Sequence, residues 1–318
     1  MNPRVLILAD VRNWAWAKKA HALKAHLSDR FDIDIAYSSE HETGGIIAAK
    51  RHDLYHTFDA LQVTAFPQGF PVVSGITAHV IQGWDGRYGP GTVRKWAART
   101  VGFHANSRML QREVEEYLGR PVYYVPNGVD EAFWHRSSAR AMKGRMIVGH
   151  VGKPNPRKGA EIVRQACARA NVELRQIDRN SKNALSSEKV REFYQGIHVL
   201  AVSSDMDGTP NPALEAAACE CAVVSNPIGN MPEFIEDGVN GILTERTAGG
   251  LAAALLALKA KPIEEIEAMG LAARATVLEG WTWTKQAENY AMMWAECIGI
   301  AAPPDGTAQR LINQGTLT

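Results

Sequence analysis

Short apolar runs alternate with stretches of helical spacing along most of the chain. Residues 5–9, 31–36, 53–56, 71–75, 101–105 and 122–125 are apolar or half-apolar and of strand length, and residues 14–27 carry the wider spacing of a helix. Asn106-Ser107 reads as the cap of a further helix, which Gly119 ends. The same rhythm returns at 146–151, 173–177, 199–202 and 222–225, with helical stretches between. Strands alternating with helices predict an α/β protein built on parallel, doubly wound sheets. The two series predict two domains, 1–125 and 126–280, followed by a long amphipathic helix over 281–300 and a polar tail over 301–318. Ligands on such sheets sit at the carboxyl ends of the strands. The chemistry is therefore sought in the loops that leave them.

One such loop stands out. The apolar run 197–202 leads into Asp207-Gly208-Thr209-Pro210-Asn211-Pro212-Ala213-Leu214-Glu215, an acid, a glycine turn, a helix opening and a second acid inside an Ala-rich helix. A helix start offers backbone N–H groups and a partial positive charge, which suit a diphosphate. Carboxylates do not attract phosphate, but they accept hydrogen bonds from hydroxyls. Asp207 and Glu215 around a phosphate-friendly helix start point to a ligand with both phosphates and hydroxyls, such as a nucleotide sugar. Read alone, Asp207 also fits a solvated cap, and Asp205-Met206-Asp207 fits the D-x-D spacing that holds a divalent metal. A second loop, Gly152-Lys153-Pro154-Asn155-Pro156-Arg157-Lys158-Gly159, also joins a strand to a helix. It lacks the order of a Walker loop but gathers cations, Lys153 and Lys158 among them, on one loop, and placed cations stabilise charge that grows on a departing phosphate group.

These segments resemble the retaining glycosyltransferases of family four, which have the GT-B fold of two Rossmann-like domains facing across a cleft. The resemblance rests on five ordered stretches. They are Val125-Pro126-Asn127-Gly128-Val129-Asp130, the strand and loop from Gly149 to Gly159, the Asp207 to Glu215 motif, Ile228-Gly229-Asn230-Met231-Pro232-Glu233 with Asp237-Gly238-Val239-Asn240-Gly241, and Trp281-Thr282-Trp283 before the last helix. It covers residues 125–300 well and the first 124 poorly. Asp207 stands where Glu is more usual, and Lys153 where Arg is usual, which removes a planar fork. The resemblance implies that Lys153 and Lys158 stabilise the diphosphate with Gly152, and that Asp207 touches the transferred sugar. Gly208, Thr209, Pro210 and Asn211 would line sugar and diphosphate, Glu215 would accept from the ribose, Arg179 would pack near the nucleobase, and His79 would face the transferred sugar. It also implies a uridine-type nucleoside-diphosphate sugar as co-substrate, no metal and no other cofactor. Where relatives have a glycine-rich loop after the first strand, this chain has Asn13-Trp14-Ala15-Trp16, whose tryptophans fit acceptor stacking or anchoring of the first helix.

Charge adds the acceptor to the picture. The chain has 318 residues, 46% of them hydrophobic, and a net charge of +1. Between Arg87 and Lys182, Lys and Arg outnumber Asp and Glu nineteen to eight, and from Arg87 to Arg112 there are six cations and no acid. Such a split suggests a polyanionic partner, with Arg87, Arg94, Lys95 and Arg99 as acceptor-binding residues. DNA carrying a hydroxylated base and a lipid-linked glycan at an anionic membrane both fit. A nucleotide-sugar epimerase and a non-catalytic nucleotide-sugar-binding module are the alternatives on the same fold. No apolar run approaches the ~20 residues that span a bilayer. Met1-Asn2-Pro3-Arg4 leads straight into a strand, so no signal peptide is expected. Cys167, Cys219, Cys221 and Cys297 fit neither a zinc site nor a disulfide framework. A cytoplasmic protein, peripheral at most to the membrane, is the expectation.

Overall fold

The computed structural model describes residues 1–12, 14–78, 91–137, 145–178 and 185–300. The chain divides into two compact units, Met1–Asn127 together with the chain from Trp283 onward, and Gly128–Thr282.

In the first unit the strands are β1 (Arg4–Ala9), β2 (Asp32–Tyr37), β3 (Leu54–Thr57), β4 (Val72–Ile76), β5 (Thr100–Ala105) and β6 (Tyr123–Tyr124). They form one parallel sheet in the order β2-β1-β3-β4-β5-β6. Val5 to Ala9 of β1 are all fully buried. An unbroken apolar run is what a central strand covered on both faces requires, and each buried Val, Leu or Ile side chain in it stabilises the unit by about 1.5–3 kcal/mol. Helix Ala15–Leu27 follows β1 and puts Ala17, Ala20, Leu23 and Leu27 into the core. Ser107 caps helix Arg108–Leu118 by accepting from the Leu110 N–H, and Gly119 ends it in the left-handed region. The last helix, Trp283–Ile298, belongs to this unit and packs on helix Ala15–Leu27. Arg30 fastens it with a two-pronged pairing to Glu288 at 2.8 and 2.6 Å.

That packing encloses polar groups the sequence pattern does not announce. His104, readable as the polar face of its strand, is fully buried and meets His56 at 2.9 Å between their Nε2 atoms. Trp294 Nε1 donates to His56 Nδ1 at 3.1 Å. Burial first, then His104 and nearby Lys19, holds the His56 pKa well below the ordinary value, and burial with Lys19 pushes His104 down to about 3. Lys19 lies over the Phe58 ring at 4.7 Å, and burial pushes its pKa down to about 7.

The second unit holds β7 (Ile147–Gly152), β8 (Glu173–Asp178), β9 (Val199–Val202), β10 (Ala222–Ser225) and β11 (Gly241–Leu243). They form a parallel sheet in the order β11-β10-β9-β7-β8. Strand β11 and the short helix Thr43–Ala48 have no counterpart in the periodicity, being too brief to show one. Helices cover both faces, with Val148, Val199, Ala201 and Val224 on one and Leu200, Val202 and Val223 on the other. Among the described residues no helix is long and apolar enough to cross a membrane.

Candidate functional site

The order of the second sheet fixes where a ligand is to be expected. The side on which successive strands are added switches at β7, with all strands parallel: the path runs outward to β8, then crosses back to β9 on the other side. Such a switch point leaves a crevice at the carboxyl ends of the strands. The loops that leave β7 and β9 there are the two that the sequence singles out. The first runs from Lys153 through a 3-10 turn at Pro156–Lys158, in which Asn155 accepts from the Arg157 N–H. Gly159 then turns into helix Ala160–Ala170 with φ +71°. A Cβ at this position would lie 2.1 Å from the Ser203 carbonyl oxygen, so glycine lets the two loops touch. Lys158 Nζ thereby reaches Asp207 Oδ1 and pairs with it. Helix Ala160–Ala170 has no side-chain cap, so its first turn presents backbone N–H groups beside Lys158.

The loop after β9 is held from behind. Asn226 donates to the Ser204 carbonyl at 2.9 Å, the Asn230 N–H to the Gly208 carbonyl at 2.9 Å, and Arg246 to the Ser203 carbonyl at 3.1 Å. Gly229, at φ +57°, leaves no room for a side chain: a Cβ would lie 2.2 Å from Gly208 O and 2.4 Å from Asp207 O. Asp205 turns the other way and pairs with Arg246 at 3.6 Å. The two carboxylates of the D-x-D spacing therefore serve different cations. Among the described residues no three His, Cys, Asp or Glu side chains are grouped as a metal site.

Glu215 lies within helix Asn211–Ala218, and Tyr194 Oη donates to its Oε2 at 2.9 Å. Thr209 and Pro210 are buried at the start of this helix. That start differs from the sequence-based expectation. The Asn211 N–H already bonds Thr209 O at 2.9 Å, the Ala213 N–H bonds Pro210 O at 2.8 Å, and Pro212 has no N–H. The donors expected there are largely spent within the turn. The first turn of helix Ala160–Ala170, which also carries Glu161, has no side-chain cap.

These features sit inside a segment with known relatives. Residues 146–261 match the family described as glycosyl transferases group 1. Alpha-maltose-1-phosphate synthase of Mycolicibacterium smegmatis is 29% identical over 214 residues, covering 53% of this chain and 55% of that protein. D-inositol 3-phosphate glycosyltransferase of Segniliparus rotundus is 27% identical over 207 residues, covering 53% and 46%. The match thus spans about half the length of these curated relatives. Anabaena HepE in complex with UDP and glucose superposes with a TM-score of 0.73 at 14% identity, over 93% of this chain and all of that one. Sucrose-phosphate synthase from Thermosynechococcus elongatus does so with a TM-score of 0.75 at 13% identity, over 94% of this chain and all of that one. The chain has the GT-B glycosyltransferase fold.

Within this GT-B chain the structure brings Lys158, Gly152, Asp207, Gly208 and Thr209 together at the switch point. A Cβ on Gly152 would stand 3.3 Å from Lys158 Cβ, so the strand end and the cation share that space. Lys153 is exposed at the start of its loop. His79, Arg87 and Arg179 lie outside the described residues. Arg94 and Arg99 have jobs within their own unit: Arg94 stacks on Tyr117 at 4.8 Å, and Arg99 donates to the Phe66 carbonyl. Arg99 immediately precedes β5, which places it at the edge where strands begin, opposite the ligand edge. Lys95 is exposed on helix Thr92–Ala97. Trp16 packs near Phe58, with ring centroids 6.4 Å apart, and so anchors the first helix. Sequence reasoning missed Tyr194, whose position on helix Ser187–Gln195 reads only as apolar spacing, and Arg246, which acts through a backbone carbonyl.

Proposed function

We propose that the chain is a retaining glycosyltransferase that moves a sugar from a UDP-sugar to a hydroxyl of an anionic acceptor, without a metal. The observation that carries this reading is the meeting of Lys158 and Asp207 on the loops after β7 and β9, inside the segment that matches glycosyl transferases group 1. The donor reading is supported by HepE, which has been seen with UDP and glucose and with UDP-glucose. The names of both curated relatives carry a phosphorylated sugar or polyol, which supports an anionic acceptor.

In this reading Glu215 accepts from the ribose hydroxyls and Asp207 from a hydroxyl of the transferred sugar. Lys158, Lys153 and the first turn of helix Ala160–Ala170 face the diphosphate. The bond between the anomeric carbon and the phosphate oxygen breaks as the acceptor oxygen bonds to the same face of that carbon. The leaving phosphate oxygen takes the acceptor's proton. Charge grows on the diphosphate in the transition state, and placed cations and dipoles act on that charge. The buried thiols Cys167, Cys219 and Cys221 support a reducing, cytoplasmic setting.

The test is a product-forming screen of nucleotide sugars against three acceptors: a phosphorylated polyol, a lipid-linked glycan and DNA with hydroxymethylated bases. The anomeric configuration of the product is read by NMR. Transfer from a UDP-sugar with retained configuration is expected. An inverted product overturns the retaining mechanism. C2 or C4 inversion of the donor without acceptor favours an epimerase, and no turnover of any donor overturns the enzymatic reading.

A further inference from the structure

Tyr194 is fully buried, yet it carries a phenol. Its ring is fixed by an edge contact with Trp134 at 5.7 Å and by Phe193 at 5.9 Å. Its backbone carbonyl accepts from Cys221 Sγ at 3.2 Å. The ring therefore has little freedom to turn. Its hydroxyl is aimed from helix Ser187–Gln195 across to helix Asn211–Ala218, where it donates to Glu215 Oε2 at 2.9 Å. Glu215 is only partly buried, so this contact joins a rigid interior group to a carboxylate near the surface. A glutamate side chain has three rotatable bonds and loses that freedom when it binds a ligand. A carboxylate offers about four acceptor directions, and a donor on one oxygen sets the orientation of the rest.

We infer that Tyr194 is a positioning residue for the nucleotide's ribose. It holds Glu215 in the rotamer that receives the sugar hydroxyls, and so makes the site select nucleotides that carry them. The inference rests on the reading of Glu215 as the ribose acceptor. Removing the phenol leaves the core filled but takes this one donor from the carboxylate, so nucleotides with ribose hydroxyls should lose affinity and those without should not.

The test is calorimetric titration of UDP and of 2′,3′-dideoxy-UDP into wild type, Tyr194→Phe, Glu215→Ala and the double variant. Tyr194→Phe should weaken UDP about three- to tenfold, the range of one hydrogen bond, and change the dideoxy nucleotide by less than about twofold. In the double variant UDP should bind no more weakly than in Glu215→Ala, because Tyr194 acts through Glu215. Equal weakening of both nucleotides, or full additivity in the double variant, would mark a general packing role and overturn the inference. So would a Tyr194→Phe protein that binds UDP like wild type while Glu215→Ala does not. If Glu215→Ala leaves UDP affinity unchanged, the reading of Glu215 itself fails. Should Tyr194→Phe not fold, 4-aminophenylalanine at position 194 keeps the ring and a donor. Its UDP affinity should stay within about threefold of wild type, and a larger loss with intact folding would count against the inference.

Discussion

At the scale of single residues, the pairing of Lys158 with Asp207 places a cation and a carboxylate side by side, both partly exposed. Each offsets the other's charge. A sugar diphosphate would divide them, its phosphates taking Lys158 and its hydroxyls taking Asp207. Lys158→Ala should then act mainly on the chemical step, lowering single-turnover transfer at saturating donor by about 10²–10³-fold, the usual cost of one charge-stabilising contact. A rate within a few-fold of wild type would make Lys158 a loop lysine that merely covers Asp207. Both residues are legible in the sequence because their types and spacing match a known pattern. Tyr194 and the His56–His104 pair are not, since an aromatic on an apolar helix face and a histidine within a strand look like ordinary packing.

At the scale of elements, the site is made by loops whose shape depends on what lies behind them. Gly229 is the clearest case, because backbone atoms of Gly208 and Asp207 occupy the space of its missing side chain. Gly229→Ala should destabilise the second unit by about 2 kcal/mol or more, from left-handed strain plus overlap. Gly69 is also left-handed, at φ +89°, but a Cβ there would meet nothing within 4 Å, so Gly69→Ala should cost only about 1 kcal/mol. Urea midpoints of the two variants measure the difference, and equal losses would mean that the overlap at Gly229 is relieved by movement. Most strands were legible, because buried parallel strands are apolar runs. The state of the donor groups at the Pro210 turn was not, because which N–H groups bond within a turn depends on its backbone conformation rather than on residue type.

The last helix, with Trp294, closes over the His56–His104 pair and gives the first unit its own pH response. Both imidazoles are neutral when folded, His104 with a pKa pushed down to about 3. Unfolded, each takes up a proton below about 6.5. Stability is thus full above that value and falls as pH drops from 6.5 toward 3, by about 1.4 kcal/mol per pH unit for each histidine at most. Urea unfolding followed through tryptophan fluorescence at pH 7, 6 and 5 should show the midpoint falling. A flat profile over this range would mean that the histidines are protonated in the folded chain or accessible to water. Lys19, pushed down to about 7, acts in a separate window: its cost grows as pH falls from about 10.5 to 7 and is constant below.

At the scale of the whole molecule, the two halves were unequally legible. The loops singled out in the second unit lie at a switch point of its sheet, whereas the basic stretch of the first unit proves to include cations already stacked or bonded within that unit. Charge counted along a sequence does not say which cations face outward. If the cations of the second unit and a helix start supply the positive charge for the diphosphate, transfer should survive exhaustive chelation. Loss of activity with EDTA and its return with magnesium or manganese would assign that charge to a metal instead. The most direct measurement is calorimetric titration of UDP into the wild-type chain and into Glu215→Ala, in the presence of chelator. One saturable site is expected, weakened about tenfold or more in Glu215→Ala, as the loss of hydrogen bonds to a charged group implies. No binding of UDP by the wild type, or the same affinity in both proteins, would contradict a nucleotide site built around Glu215 at the ends of β7 and β9.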